Sequence, residues 1–347
     1  MTPFLLSPSG KDYIWGGERL KSSYGKAVDL TPLAETWECS VHPDGPSVVA
    51  SGSFAGRSLA EVLAEHPAFL GSSPSSADGL HILVKLIDAK RDLSVQVHPD
   101  DAYAFREEGG QQGKTEMWYV LEAEPGASLV FGLNCEVPAE TLRAALEAGT
   151  VEALLRRVPV RRGDVFYIPA GTIHAIGSGI LLAEVQQNSN LTYRLYDYGR
   201  LGKDGRPRPL HVDKALAVSD LSGAQAPRQP LRVLRYRPGF AKEILCECPY
   251  FEVARCLLNT DALAEPGGSS PDSSIILPAL PESYRVLLCT EGEGILREVV
   301  GGDVAADGAG ASGVSELRFR KGDTLFIPAT CGALTLSGRA EFLLIRG

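Results

Sequence analysis

Short hydrophobic stretches, separated by glycine, proline and polar residues, recur along the chain. The clearest examples are rich in β-branched and aromatic residues and cover 81–89, 93–99, 116–123, 164–170 and 179–187. Segments of this composition between turn-forming residues are typical of short β-strands. The pattern therefore predicts a mainly β protein, built as an antiparallel sandwich or barrel.

Two stretches have helical spacing instead. Residues 58–69 begin with Ser58, a favourable N-cap, and place leucine and valine side chains on one face. Residues 138–156 also carry leucines at helical intervals, with Gly149 as the expected break. We expect these two segments to form accessory helices beside the β structure.

An internal repeat indicates that the β unit occurs twice. RGDVFYIP at 162–169 is echoed by KGDTLFIP at 321–328, and WYVLEAEPGASL at 118–129 by YRVLLCTEGEGIL at 284–296. Aligning the two GD motifs without gaps places His174 opposite Ala333, and the second half contains no histidine. We therefore predict two related barrels, of which only the first can bind a metal through histidine.

The domain prediction follows from this repeat and from a chain length of 347 residues. Residues 1–225 form the predicted catalytic, metal-binding domain with helical insertions, and residues 226–347 form a second, metal-free β domain. Between them, 221–231 is small, polar and proline-containing, as expected of a linker.

Charge and composition exclude several classes of protein. The net charge of -9 disfavours a nucleic-acid partner, since like charges repel. No apolar run approaches the ~20 residues needed to cross a bilayer, and the N-terminus does not resemble a signal peptide. Seven scattered cysteines do not suggest a disulfide framework. We expect a soluble, cytoplasmic protein without a membrane partner, whose oligomeric state the sequence does not determine.

Four side chains form a candidate metal site. Gln96 and His98 share one face of a predicted strand, Glu116 begins a neighbouring strand, and His174 follows a turn that leads back to the same end. Two imidazoles, a carboxylate and an amide oxygen suit a divalent ion. Nitrogen and oxygen ligands favour zinc, but they are also compatible with iron, manganese or cobalt.

Six stretches together resemble the type I mannose-6-phosphate isomerases, a family of the cupin superfamily, in particular their shorter bacterial form. The stretches are WGGERL (15–20), ETWECSVHPDGPS (35–47), VKLIDAKRDLSVQVHPDD (84–101), GKTEMWYVL (113–121), GDVFYIPAGTIHAIGSGILLAEVQQNSNLTYRLYDYGR (163–200) and LHVDKAL (210–216). The resemblance implies two cupin-like jelly-roll barrels and one zinc ion per chain. It selects the same ligands, Gln96, His98, Glu116 and His174, and adds Arg194 as a catalytic cation.

The implied reaction interconverts mannose 6-phosphate and fructose 6-phosphate through an enediolate, which requires a base and a group that stabilises the developing oxyanion. Arg194 suits the second task because it keeps its proton. The candidate bases are Glu184, His42 and a lysine such as Lys114. Glu184 has a competing role in supporting a metal ligand.

The phosphate of this small sugar substrate requires cations and hydrogen-bond donors. The resemblance places Lys85, Ser94 and Lys114 in the pocket. By strand parity, Ser94 faces the same side as Gln96, and Lys114 the same side as Glu116.

Two other functions compete with this interpretation. One is a different cupin metalloenzyme, such as an iron-dependent dioxygenase, although Gln96 replaces the first histidine of the common H-x-H motif. The other is a non-catalytic sugar-binding cupin, which would not need Arg194 and Glu184.

Overall fold

The computed structural model describes residues 2–73, 79–223, 233–263, 274–299 and 316–347. Most of the regular structure is β, in antiparallel sheets, as predicted. In chain order the strands are β1 Phe4–Ser7, β2 Ser9–Lys11, β3 Glu35–Cys39, β4 Val48–Val49, β5 Ile82–Ala89, β6 Val95–Val97, β7 Glu116–Ala123, β8 Ser128–Leu133, β9 Leu155–Pro159, β10 Val165–Ile168, β11 His174–Ala175, β12 Ile180–Gln187, β13 Tyr193–Tyr196, β14 Val233–Arg237, β15 Phe240–Glu247, β16 Glu252–Asn259, β17 Ile275–Leu277, β18 Arg285–Glu298, β19 Glu316–Arg320, β20 Thr324–Ile327 and β21 Leu334–Arg346.

The helices are short. They are α1 Arg19–Ser22, α2 Leu59–Glu65, α3 Asp101–Glu107, α4 Ala139–Glu147 and α5 Val212–Val218, with 3₁₀ turns at Gly52–Phe54, Pro67–Leu70, Val151–Ala153 and Thr260–Leu263. Among the described residues, no helix is long and apolar enough to span a bilayer.

By contact density the chain divides into two units, and the first contains the candidate site. It comprises the described parts of Pro8–Gly45 and Ile82–Pro230. One of its sheets has the order β10-β7-β12-β5-β3-β2, and the other has the order β13-β6-β11-β8-β9. Apolar clusters line both sheets, one around Trp118 and Phe166 and one around Val95 and Val97.

The second unit comprises the described parts of Met1–Ser7, Pro46–His81 and Leu231–Gly347. Its main path runs β14-β15-β16-β21-β18-β20-β1-β4, with β17 on β21 and β19 on β18. It therefore includes β1 and β4, which the sequence analysis assigned to the first domain. β1 joins because it pairs with β20, where Phe4 stacks on Phe326 with ring centroids 5.4 Å apart. The predicted boundary at 225/226 lies outside the described residues and stays a prediction.

The internal repeat corresponds to repeated structure. Gly163 N–H donates to Val120 O, and Gly322 N–H donates to Cys289 O, in both cases at a positive φ. Each following aspartate caps its own turn: Asp164 accepts from the N–H of Arg161, and Asp323 accepts from the N–H of Arg320. The two units thus share one strand–turn–strand device.

The helix predictions were correct in kind but too long. Ser58 and Glu61 form a capping box, and α2 ends at Glu65 because Pro67 disfavours a helical conformation at His66. In the second stretch, α4 ends before Gly149, which has φ +69° as the expected break. The prediction of helix as far as residue 156 was wrong, since a 3₁₀ turn follows the glycine and β9 begins at Leu155.

Candidate metal centre and active-site cavity

The strand β6 organises the site. Its Gln96 pairs with His174 of β11 on one side and with Arg194 of β13 on the other. Val95 and Val97 point the opposite way and are buried in the core. The alternation predicted from the sequence therefore separates an apolar face from a face that carries polar, ligand-type side chains.

Three buried groups lie close enough together to share one ion. A ligand atom from each of His98, Glu116 and His174 lies within 4.8 Å of the other two. The Nε2 atom of His98 is 3.5 Å from Glu116 Oε2, and the Nε2 atom of His174 is 3.3 Å from Glu116 Oε1. Since all three side chains are at most 1% exposed, they form a compact donor set away from bulk solvent.

The backbone determines which imidazole nitrogen faces this cluster. The Nδ1 atom of His98 lies 2.7 Å from Leu191 O, and that of His174 lies 2.8 Å from Thr172 O. A carbonyl oxygen only accepts, so each Nδ1 carries the hydrogen and each Nε2 keeps its lone pair. Burial holds the pKa of His98 well below its usual value and lowers that of His174 to about 4, so both rings stay neutral.

The buried Glu116 carboxylate provides the negative charge that a cation at this cluster would need. Within the described part of the chain, neither of its buried oxygens accepts a well-aligned hydrogen bond, although Lys114 Nζ lies 3.0 Å from Oε2. Burial and the charge of Glu184 raise the pKa of Glu116. Two oriented lone pairs and an unsatisfied carboxylate are what a divalent ion requires, so the residues fit a metal.

Gln96 lies at the edge of the cluster. Its Nε2 atom is 3.3 Å from His174 Nε2, so the amide group reaches the donor set. Rotation of the amide by half a turn exchanges its nitrogen and oxygen and would present the oxygen to an ion. Its role as a fourth ligand stays a prediction.

Lys85 and Lys114 form a network with the carboxylates of Glu184 and Glu116 beside the cluster. Lys85 Nζ lies 3.0 Å from Glu184 Oε1, and Lys114 Nζ lies 4.0 Å from the same oxygen. Trp118 donates its indole N–H to Glu184 Oε2 over 2.9 Å. Although burial opposes ionisation, the charges of Lys85 and Lys114 outweigh it and lower the pKa of Glu184. Glu184 is therefore held as a carboxylate.

A cavity of about 280 Å³ lies over this network. Lys85, Lys114 and Glu184 line it, together with Ser94, Arg194 and Arg208. Arg194 donates from Nε to Ser94 Oγ over 3.3 Å and from Nη1 to Pro209 O over 2.8 Å. The structure thus brings the predicted arginine, both lysines, Ser94 and Glu184 to one polar cavity.

His42 has a different environment. Its ring packs edge-on against Trp37 at 5.7 Å, and its Nδ1 lies 3.6 Å from an Asp44 oxygen. Burial lowers its pKa. It is not among the side chains that line the cavity, and its catalytic role stays a prediction.

Sequence reasoning did not identify several residues of this site, among them Trp118, Glu35 and Arg208. Trp118 follows Lys114 and Glu116 at the same strand parity, so alternation along β7 could have indicated it. Glu35 lines the cavity and lies 3.9 Å from Lys85 Nζ, but its segment was used only for its resemblance. Arg208 lies in an irregular segment, where no periodic pattern predicts a position.

The antiparallel sheets, together with a buried His–Glu–His cluster that could hold a metal ion, are consistent with a cupin-type fold. The comparisons with known proteins are specific. Residues 4–119 match the family model for the phosphomannose isomerase type I catalytic domain. Mannose-6-phosphate isomerase ManA of Bacillus subtilis is 35% identical over 99% of this chain and 98% of its own, and the Streptococcus mutans mannose-6-phosphate isomerase is 34% identical over 98% and 97%.

The fold is also similar to that of a solved mannose 6-phosphate isomerase. The crystal structure of the mannose 6-phosphate isomerase from Bacillus subtilis superposes with a TM-score of 0.85 at 31% identity, over 99% of both chains. The chain belongs to the type I phosphomannose isomerase family.

Proposed function

We propose that this enzyme interconverts mannose 6-phosphate and fructose 6-phosphate, and that zinc is its metal. The observation that carries the proposal is the oriented His98–Glu116–His174 cluster next to a polar cavity, which it adjoins through Lys114, a cavity-lining residue 3.0 Å from Glu116. Full-length similarity to mannose-6-phosphate isomerases supports the substrate.

His98, Glu116 and His174 would hold the ion, with Gln96 as the proposed fourth ligand. A bound zinc ion supplies Lewis-acid polarisation of the oxygens on the reacting carbons. Lysine and arginine side chains in the same cavity stabilise negative charge as it develops on those oxygens. Arg194 suits this task because its guanidinium keeps its charge.

Isomerisation of the aldose requires a base that takes the proton from C2, and a proton is returned at C1. Of the predicted bases, Glu184 has the most suitable placement, since it lines the cavity and its buried Oε1 accepts no aligned hydrogen bond among the described residues. Lys85 and Lys114 keep it ionised, which is the state that accepts a proton.

The primary test is turnover of mannose 6-phosphate by metal-loaded and chelator-treated protein. We expect activity that is lost with the chelator and restored by zinc. Absence of turnover by the loaded protein would reject the proposal.

A second test separates the candidate bases. Glu184→Gln should retain metal but lower kcat by ~10²–10⁴, the usual contribution of a general base, whereas His42→Gln should have a much smaller effect. Equal losses in both variants would refute the assignment to Glu184.

The two competing functions have their own readouts. An iron-dependent dioxygenase would consume oxygen, and a sugar-binding protein would bind the phosphosugar without converting it. Full-length similarity to isomerases favours neither alternative.

A further inference from the structure

Two cysteines lie side by side at one end of a hairpin in the second unit. Cys246 is near the end of β15, and Cys248 follows directly after the strand. Glu247 between them is exposed, whereas Cys246 is 5% exposed and Cys248 is half-buried. Because alternate residues of an extended chain share a face, both thiols point to the same side of the hairpin.

The two thiols are in contact. The Cys246 thiol donates a hydrogen bond to Cys248 Sγ. Two residues along a strand are separated by about 6.6 Å, which lies within the roughly 4.4–6.8 Å between Cα atoms joined by a disulfide. The strand register also shifts between Ile244 and Cys246, which marks a β-bulge that bends β15 just before the pair. The spacing and the sulfur contact are therefore suitable for a disulfide.

A tight turn surrounds the Cys248 sulfur with backbone groups. The Cys248 N–H donates to Phe251 O over 3.1 Å and closes the turn, and Cys248 Sγ lies 3.5 Å from the same oxygen. The N–H groups of Tyr250 and Phe251 are directed at the sulfur. The hydrogen bond from Cys246 and those from the backbone outweigh burial and lower the pKa of Cys248. Since the thiolate is the reactive form of cysteine, Cys248 is the nucleophile of the pair.

Cys246 has the complementary character. Its hydrogen bond to Cys248, its burial and the negative charges of Cys248 and Glu247 all raise its pKa. It therefore keeps its hydrogen while Cys248 is ionised. A partly exposed thiolate beside a thiol that can displace an oxidised group from it is the arrangement of a redox-sensitive cysteine and its resolving partner.

The remaining cysteines lack this arrangement. Cys135 is exposed, and burial raises the pKa of the other four, Cys39, Cys256, Cys289 and Cys331. Metal binding is disfavoured for the pair, because among the described residues it does not belong to a group of three or more possible ligands. Redox chemistry is the function that fits two adjoining thiols of unequal acidity.

We propose that Cys246 and Cys248 form a reversible dithiol–disulfide site that is oxidised by hydrogen peroxide. The Cys248 thiolate attacks one peroxide oxygen, so an S–O bond forms, the O–O bond breaks, and the other oxygen leaves as hydroxide and takes up a proton. The Cys246 sulfur then attacks the resulting sulfenic acid. The S–S bond forms, the S–O bond breaks, and the departing hydroxide takes the Cys246 proton. The pair loses two electrons, the peroxide becomes two molecules of water, and an external dithiol restores both thiols by exchange.

The test treats the reduced, folded protein with one equivalent of hydrogen peroxide, blocks the remaining thiols with iodoacetamide in denaturant, and digests it with trypsin. Cleavage after Lys242 and Arg255 releases the peptide 243–255, which contains the pair and no other cysteine. We expect this peptide to be two hydrogens lighter and unalkylated, and to regain both thiols with dithiothreitol. Its disulfide should form at least about tenfold faster than the Cys135 thiol is lost, as expected for a thiolate beside a resolving thiol.

Three variants assign the steps. The control Cys135→Ala should form the disulfide at the wild-type rate. Cys246→Ala should stop at a sulfenic acid on Cys248 that dimedone traps, and it should move the pH midpoint of Cys248 alkylation upward, because the hydrogen-bond donor is lost. Cys248→Ala should leave Cys246 reduced at the same peroxide dose.

The wild-type result decides the matter, so misfolding of a variant cannot obscure it. A peptide 243–255 that stays reduced while Cys135 is oxidised would overturn the inference, as would oxidation of both cysteines without a bond between them. No step of this test depends on sugar turnover, so its outcome is separate from that of the proposed isomerase function.

Discussion

Replacing Glu116 by glutamine in the metal-free protein should increase the free energy of unfolding at pH 8, even though Glu116 is a proposed ion ligand. Its carboxylate is fully buried, and burial together with the Glu184 charge raises its pKa above the usual 4.5. The folded state therefore holds this proton at pH values where the unfolded chain has released it. Stability falls as pH rises through that window, and glutamine, which resembles the protonated acid, removes the loss.

The magnitude follows from the pKa. Each pKa unit corresponds to about 1.4 kcal/mol, so we expect Glu116→Gln to gain about 1–3 kcal/mol at pH 8 and less at pH 5. Urea unfolding of chelator-treated protein at both pH values measures this difference.

Glu184→Gln provides an internal comparison of opposite sign. Although burial disfavours its charge, Lys85 and Lys114 lower the pKa of Glu184, so its ionised form stabilises the fold at neutral pH. That stability is present above the unfolded pKa and is lost on acidification. Glu184→Gln should therefore destabilise the protein at pH 8. If both glutamine variants lose stability at pH 8, the Lys114 ion pair outweighs the burial of Glu116 and the reasoning is refuted.

Two other substitutions test the supports of the site. Trp118→Phe removes the indole N–H that donates to Glu184. It should lower the free energy of unfolding by about 1.5–3 kcal/mol more than the control Trp15→Phe, which makes the same change at another tryptophan of the same apolar cluster. Equal losses would show that the hydrogen bond contributes nothing. Gly113→Ala would place a Cβ 2.4 Å from the Asp100 carbonyl carbon, so we expect a loss of more than about 2 kcal/mol, together with a fall in kcat through displacement of Lys114. Urea unfolding and steady-state kinetics would measure both effects, and an unchanged Gly113→Ala protein would contradict the predicted close contact.

Much of the site could be anticipated because it is built from strand alternation. The strand predicted at 116–123 has those bounds in the structure, and parity correctly placed Ser94 on the cavity side of its segment. In such a strand successive side chains point to opposite faces of the sheet, so the face of one residue determines the faces of its neighbours.

Other features depend on contacts that no local pattern encodes. Arg208 reaches the cavity from an irregular segment because Asp197 holds its guanidinium. β1 pairs with β20 across more than three hundred positions of sequence, and nothing in its four residues specifies that partner. The stretch 138–156 was overextended because leucines at helical spacing continue past Gly149, where backbone conformation rather than side-chain pattern ends α4.

The duplicated turn has a consequence for how this enzyme tolerates change. The same hydrogen bonds are present at Gly163, which His174, a proposed metal ligand, follows, and at Gly322, where the position aligned with His174 is Ala333. The turn at Gly322 therefore forms without a histidine at the aligned position. His174→Ala should accordingly give a well-folded protein that cannot retain its ion, which would serve as an inert reference for every turnover assay described above.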